Sequence, residues 1–193
     1  MEVLVIGAGL AGITSAWYLA QAGCKVTVVE RQPGPALETS FANGGQISVS
    51  HPEPWSNPSA PGTILRWLGR EDAPLLFRLR ADAAQWRWGL SFLRECLPRR
   101  AARNTAAVAS LALYSRHQLR TLRQETGIRY ESREGGILHL FETPAEAARL
   151  PERLEALQAL GIEGRILSPD EAVAVEPALA ALGPRLAGAL HGL

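Results

Sequence analysis

The sequence predicts an α/β fold: a Rossmann-like parallel sheet opening on a βαβ unit, then helices, then part of an antiparallel sheet. Three observations predict it. An apolar run, Val3-Leu-Val-Ile6, leads straight into Gly7-Ala8-Gly9-Leu10-Ala11-Gly12. A helical stretch then ends at Gly23, and a second β-like run, Cys24-Lys-Val-Thr-Val-Val29, ends on Glu30. Farther along, long helical periodicities give way to short β-like runs set between Gly-Gly and Ser/Thr-Pro capping signals.

Each part of the opening motif has its own physical reason. An unbroken apolar run, rather than an alternating one, is what a parallel strand buried on both faces shows. Gly7 permits the tight turn out of that strand. Gly9 removes the Cβ that would keep a pyrophosphate from the backbone, and Gly12 lets the next helix pack closely on the sheet. The helix, through Ile13, Trp17 and Leu19, directs its N-terminal N–H groups and dipole at the anion. Glu30 stands where a carboxylate accepts the two ribose hydroxyls and repels a 2′-phosphate, so an NADP-type ligand is disfavoured. The spacing therefore points to a dinucleotide; the alternative is a βα turn whose glycines serve packing alone.

The residues after Glu30 bear on which dinucleotide. A long irregular segment, Pro33 to Pro61, contains Glu38-Thr-Ser40-Phe-Ala-Asn43-Gly44-Gly45-Gln46-Ile47. Ser40, Asn43, Gly44, Gly45 and Gln46 offer small side chains, amides and accessible backbone N–H groups, which suit the edge of a flat polar ring. An ordinary Asn-Gly turn is the alternative; coming after a βαβ unit that ends in Glu30-Arg31, the loop is read as a flavin-side loop.

These segments resemble a known family. VLVIGAGLAGITSAWYLAQAG and VTVVERQPGPALETSFANGGQISVSHPEPWSNPSAPG are similar to the N-terminal half of bacterial D-amino-acid dehydrogenases, in the D-amino-acid oxidase-like group of FAD enzymes. The likeness continues through RWLGREDAPLLFRLR, WRWGLSFLREC, YSRHQLRTLRQETGI, GGILHLF and SPDEAVAVEPAL, and so covers nearly all of the chain. The glycine turn is widely shared among flavoproteins, whereas TSFANGGQ with HPEPWSNPSAPG is narrow. The resemblance implies FAD as cofactor, with its pyrophosphate on the Gly7–Gly12 turn, its AMP ribose on Glu30, Arg31 at the adenosine end and the Ser40–Gln46 loop near the isoalloxazine. It implies oxidative deamination of a D-amino acid, D-alanine foremost, to a 2-oxo acid and ammonia, with electrons passed to a respiratory acceptor such as a quinone. Two alternatives stand beside it: a glycine- or sarcosine-oxidase-like amine oxidase, and a truncated FAD-binding fragment without activity. In the family the arginine that clamps the substrate carboxylate, and its tyrosine neighbour, come from a second half, so the catalytic residues are unknown here. His51, Tyr114, His117 and His139 are polar residues one could nominate, and each is read as structural or solvated.

Composition sets bounds. The chain has 193 residues, a net charge of +1, two cysteines and four histidines. Cys24 and Cys96 lack metal-ligand spacing and the histidines are scattered, so no metal site is expected. The charge gives no general pull toward nucleic acid. A strand starting at residue 2 or 3 leaves no room for a signal peptide, and no run of about 18 apolar residues is present. The expected location is cytoplasmic, with peripheral contact to the inner membrane as a further expectation from the resemblance.

That expectation has a local feature behind it. Nine arginines between Arg66 and Arg103 face four acids, a local balance of +5 in a chain whose only lysine is Lys25. Leu76, Leu79, Ala83, Trp86, Leu90, Leu93 and Leu97 recur at three- and four-residue steps, predicting one helix of about six turns, roughly 33 Å long. Arg80, Arg87 and Arg94 form a second stripe, with Trp88 off the apolar one and Trp67 ahead of the helix. Two readings stay open: a core-facing stripe with a solvated arginine face, or a basic, tryptophan-bearing surface at the headgroup layer.

Further on, Asn104 is expected to cap a helix that stops at Gly127. Ile128–Glu131 and Gly136–Phe141 are expected as strands about a Gly-Gly turn. Thr143-Pro-Ala-Glu146 and Ser168-Pro-Asp-Glu171 are capping boxes, and Pro151 should kink or restart a helix that ends before Gly161. Leu186–Leu193 is expected as the start of a strand cut short. The organisation expected is a nucleotide-binding unit at 1–50, a helical region at 51–127 and an incomplete substrate-side layer at 128–193.

Overall fold

The computed structural model describes residues 1–73, 78 and 80–193. The chain divides into two compact units, Met1–Gln46 and Ile47–Leu193.

The first unit is the βαβ motif. Strand β1 (Glu2–Ile6) pairs in parallel with β2 (Lys25–Val29), Glu2 opposite Lys25 and Ile6 opposite Val29. Helix α1 (Leu10–Gln21) connects them and ends at Gly23, whose φ of 80° closes the turn and whose N–H donates to Ala20 O at 2.9 Å. The burial expected of β1 on both faces is corrected: its residues alternate between exposed and half-buried, and Ile6 is 85% exposed. This unit contributes two strands and one helix, and one helix covers one face of a sheet.

The second unit is built on a three-stranded antiparallel sheet of order β3-β5-β4, comprising β3 (Ile137–Phe141), β4 (Gly164–Leu167) and β5 (Gly188–Gly192). The strand expected within Leu186–Leu193 is present as β5, the central strand, buried at all five residues and paired along its length with β3. The strand expected at Ile128–Glu131 is absent: those residues have no regular structure, and β3 takes β5 as its partner rather than a hairpin neighbour. Glu134 instead ties this stretch to Arg123 in the helix that precedes it, Pro98–Thr126.

Alternation along β5 splits the core in two. On one face Leu190 joins Val49, Ala109, Leu150, Leu157 and Ile162; on the other Ala189 joins Leu167, Ala172 and Leu186. The first face is covered by α4 (Pro98–Thr126) and α6 (Leu150–Ala159), the second by α7 (Pro169–Val175) and a 3₁₀ segment at Pro177–Arg185.

The helices follow their caps. Helix α2 (Ala60–Trp67) lies in the expected helical region and starts where the Asn57 side chain accepts the N–H groups of Ser59 and Ala60. The single helix expected from Leu76 to Leu97 is corrected. Leu76 and Leu79 lie outside the described residues, and α3 (Ala83–Glu95) begins after Asp82, whose carboxylate accepts the Ala84 N–H at 2.8 Å. Leu97 then caps α4, with Pro98 supplying its first position. Asn104 is therefore an interior residue of α4 rather than its cap, and its amide donates to Glu95 at 3.0 Å. Helix α4 does stop at Gly127, in the left-handed conformation at φ 61°.

At Thr143 the hydroxyl accepts the Glu146 N–H to start the short α5 (Pro144–Ala147), and Pro151 restarts the chain as α6. Ser168 and Glu171 form the reciprocal box that starts α7. The core-facing reading of α3 is not what the structure shows: the helix has no buried residue, and Leu90 is 69% exposed. Among the described residues no helix is long and apolar enough to cross a membrane.

Two glycines offer a contrast in stability. A Cβ on Gly192 would lie 2.3 Å from that of Ser50, so Gly192→Ala should destabilise the second unit by about 1–3 kcal/mol. A Cβ on Gly89, inside α3, meets nothing within 4 Å, so Gly89→Ala should stabilise by about 0.5–1 kcal/mol. Urea midpoints of the two variants against the parent chain check both signs.

Candidate functional site

The turn between β1 and α1 is where the first unit concentrates its chemistry. Gly7 adopts φ 97°, a conformation that L side chains rarely enter, and its N–H donates to Val29 O at 2.7 Å. Gly12 lies so near the turn that a Cβ there would stand 1.9 Å from Gly7 O and 3.5 Å from Val5 Cγ1. The first turn of α1 is thereby seated against the end of β1. It carries no acidic residue, so nothing in it opposes the positive end of the helix dipole.

Two backbone N–H groups of the turn meet side-chain oxygens from distant positions. Ala8 N–H donates to Glu30 Oε2 at 2.6 Å, and Leu10 N–H donates to Ser40 Oγ at 2.9 Å. A Cβ on Gly9 would come within 3.1 Å of that same Ser40 oxygen. Glu30 is held at both oxygens, because Oε1 accepts the Gln32 N–H at 2.9 Å. The Ala8 N–H above all, then the Gln32 N–H, keep its carboxyl below the ordinary carboxylate value, so it is an anion at the end of β2.

The remaining candidate residues divide between structural ties and open loop. Arg31 forms a two-pronged ion pair with Glu38, Nε to Oε1 at 2.8 Å and Nη2 to Oε2 at 2.6 Å, and Gln32 adds a third bond to Glu38 at 2.8 Å. Glu38 thus holds Arg31 and Gln32 in place, a tie that motif reading passed over; its signal was an acid seven residues after Arg31 in a loop with no other acid until Glu53. Asn43 folds its amide onto its own loop, donating to Ser40 O at 3.2 Å and accepting the Gly45 N–H at 2.7 Å. Gly45 takes φ 60° as a result, and Asn43, Gly44, Gly45 and Gln46 are all exposed. Gly7, Ala8, Gly9, Leu10, Ala11, Gly12, Glu30 and Ser40 are therefore gathered at one turn, with the 43–46 stretch following on from Ser40.

The nominated polar residues fall elsewhere. Tyr114 and His117 sit exposed on α4, and His139 lies on β3 with His51 near it, ring centroids 6.0 Å apart. Cys24 and Cys96 are both free thiols.

Chemically, the turn joins backbone N–H groups at a helix N-terminus to a fixed carboxylate 22 residues away, with the Ala8 N–H held by Glu30 and the Leu10 N–H by Ser40. The family model for FAD-dependent oxidoreductases matches residues 2–192, the whole breadth of both units. The chain belongs to the FAD-dependent oxidoreductase family.

Within that family, the chain is 53% identical over 188 residues to a D-amino acid dehydrogenase of Dechloromonas aromatica, a match that covers 97% of this chain and 45% of that protein. It is 52% identical to a D-amino acid dehydrogenase of Paramagnetospirillum magneticum, covering 99% of this chain and 46% of that one. A protein of the same name from Agrobacterium fabrum is 44% identical over 191 residues. The chain spans about half the length of these relatives.

Proposed function

We propose that the chain carries the FAD-binding portion of an enzyme that oxidatively deaminates D-amino acids, D-alanine foremost, to 2-oxo acids and ammonia, passing electrons to a respiratory acceptor. The carrying observation is the turn at Gly7–Gly12: Ala8 and Leu10 present N–H groups to oxygens, and Gly12 allows the contact that seats α1 behind them. Family membership and the names of the relatives support the redox class and the substrate.

The residues fit the cofactor. The backbone of Gly7, Ala8, Gly9, Leu10, Ala11 and Gly12 would hold the pyrophosphate, aided by the α1 dipole. Glu30, fixed at both oxygens and anionic, would accept the ribose hydroxyls while rejecting a 2′-phosphate, with Arg31 beside it. Ser40, Asn43, Gly44, Gly45 and Gln46 would follow the cofactor toward the isoalloxazine. The hydroxyl of Ser40, already on the Leu10 N–H, marks the pyrophosphate end of that stretch. Bound FAD would supply a two-electron acceptor for the Cα–H of the amine. The part of this chain in the reaction is positional, since binding both ends of a long cofactor fixes where its reactive edge lies.

The acceptor we propose is a quinone, reached by peripheral contact with the cytoplasmic face of the inner membrane. Supporting this, α3 presents Trp86 and Trp88 exposed beside Arg87 and Arg94, seven residues apart on one stripe, with Arg80 just ahead of the helix.

Two measurements test these readings. The purified chain should retain added FAD in its visible spectrum, Gly12→Ala, whose Cβ must push α1 away from the turn, should lose it, and D-alanine should bleach the bound flavin where sarcosine does not. Failure to hold FAD overturns the reading; flavin that is held but not bleached leaves a binding function without turnover. For the membrane contact, flotation with anionic liposomes should carry the chain upward, and charge reversal at Arg80, Arg87 and Arg94 should abolish it; unchanged flotation of that variant refutes the surface.

A further inference from the structure

Residues Val49 to Glu53 cross the face of the sheet that bears Leu190. Val49 is 4% exposed and packs in the core with Leu190, while Ser50 is 2% exposed and meets Gly192 of β5 so closely that no Cβ fits there. A side-chain hydrogen bond between Ser50 Oγ and His139 Nε2, at 2.8 Å, fastens this strap to β3. We propose that His139 is a proton-sensitive latch: neutral, it holds the strap Val49–Glu53 against the sheet, and protonated, it lets the strap lift.

The argument rests on what surrounds the ring. His139 is on β3, directly opposite Leu190 in register, so β5 offers it no charge. Helix α4 brings Ala109, Ala112 and Leu113 to that face, all apolar. Helix α6 brings Arg153, whose guanidinium lies 5.6 Å over the Phe141 ring, on the same face as His139 two residues before it. The strap itself brings His51 and Glu53.

Glu53 is the one anion among these groups, and it is already engaged, 3.2 Å from His51 Nδ1 and 3.8 Å from Arg153 Nη2. A proton on His139 therefore adds a cation to a half-buried site that holds Arg153 and His51, with the local carboxylate committed elsewhere. Burial first, then Arg153 and His51, push the His139 ring below its ordinary value of 6.5, and Glu53 offsets only part of this. When the strap lifts, the ring regains water and its ordinary value. The sign follows: the closed strap binds protons less readily than the open one, so closure is fully favoured above 6.5 and weakens as pH falls through the interval down to the lowered value.

This inference is independent of the FAD reading, and its test needs no cofactor. Amide hydrogen exchange of the full chain, normalised at each pH to the intrinsic rate, is followed by mass spectrometry from about pH 7.5 to about pH 5. In the parent chain the peptides covering 47–53 should gain several-fold in exchange on acidification, while those covering β5 hold their protection. His139→Gln, which retains an acceptor for Ser50 and cannot be protonated there, should stay protected throughout. Arg153→Gln, which removes the cation, should show a shallower pH dependence and serves as the deciding variant if His139→Gln is poorly folded. No acid-dependent gain in the parent, or the same gain in the parent and in Arg153→Gln, overturns the latch.

Discussion

The closeness of Gly12 to Gly7 is the constraint on which the first unit depends. A contact that leaves no room for one methyl group sets the start of α1 against the end of β1, and with it the direction of the N–H groups at residues 8–12. A short parallel pair and one helix are a small structure, with Ala8 as its buried apolar residue. What gives it definition is polar: Glu30 binds the turn and the chain beyond β2 with its two oxygens, and Ser40 returns from 30 positions away to the first N–H of the helix. The same groups that hold the turn are the ones a dinucleotide would address, so folding and binding here draw on one set of donors.

The second unit is organised differently. Strand β3 pairs with β5, so contacts between residues about 50 apart, such as Leu138 with His191, are needed before β3 has a partner. A strap from the start of the unit then closes over β5 at Gly192. Pairing of this kind is slow to form because loop closure precedes its reward. The two faces of β5 carry separate apolar clusters, which is why all five of its residues are buried while β3 and β4 remain partly exposed at the edges.

Much of this was legible in the residues. Gly7-Ala-Gly9-Leu-Ala-Gly12 with Glu30, the stop at Gly23, the caps at Thr143 and Ser168 and the restart at Pro151 are local signals, each decided within a few residues, and each is found in the structure. The misreadings are those in which a local pattern competes with a distant partner. Asn104 is a good cap by type, but Pro98 starts the helix about two turns earlier and Glu95 takes the amide. Ile128–Glu131 is β-like by composition, yet β5 is the partner that β3 takes. Asp82 breaks a periodicity that hydrophobic spacing alone runs straight through. In the candidate site, the pairs Ala8–Glu30 and Leu10–Ser40 could be placed only to the level of neighbourhood, since sequence order says nothing about which oxygen meets which N–H.

The central claim is that the Gly7–Gly12 turn receives the pyrophosphate of FAD, and backbone amide resonances test it most directly. On addition of FAD to the labelled chain, the Ala8 and Leu10 amides should shift most, followed by their neighbours in residues 7–12, while β3 and β5 stay in place and NADP leaves the turn unperturbed. Ala8 and Leu10 amides that do not respond to FAD, or that respond equally to NADP, would contradict it.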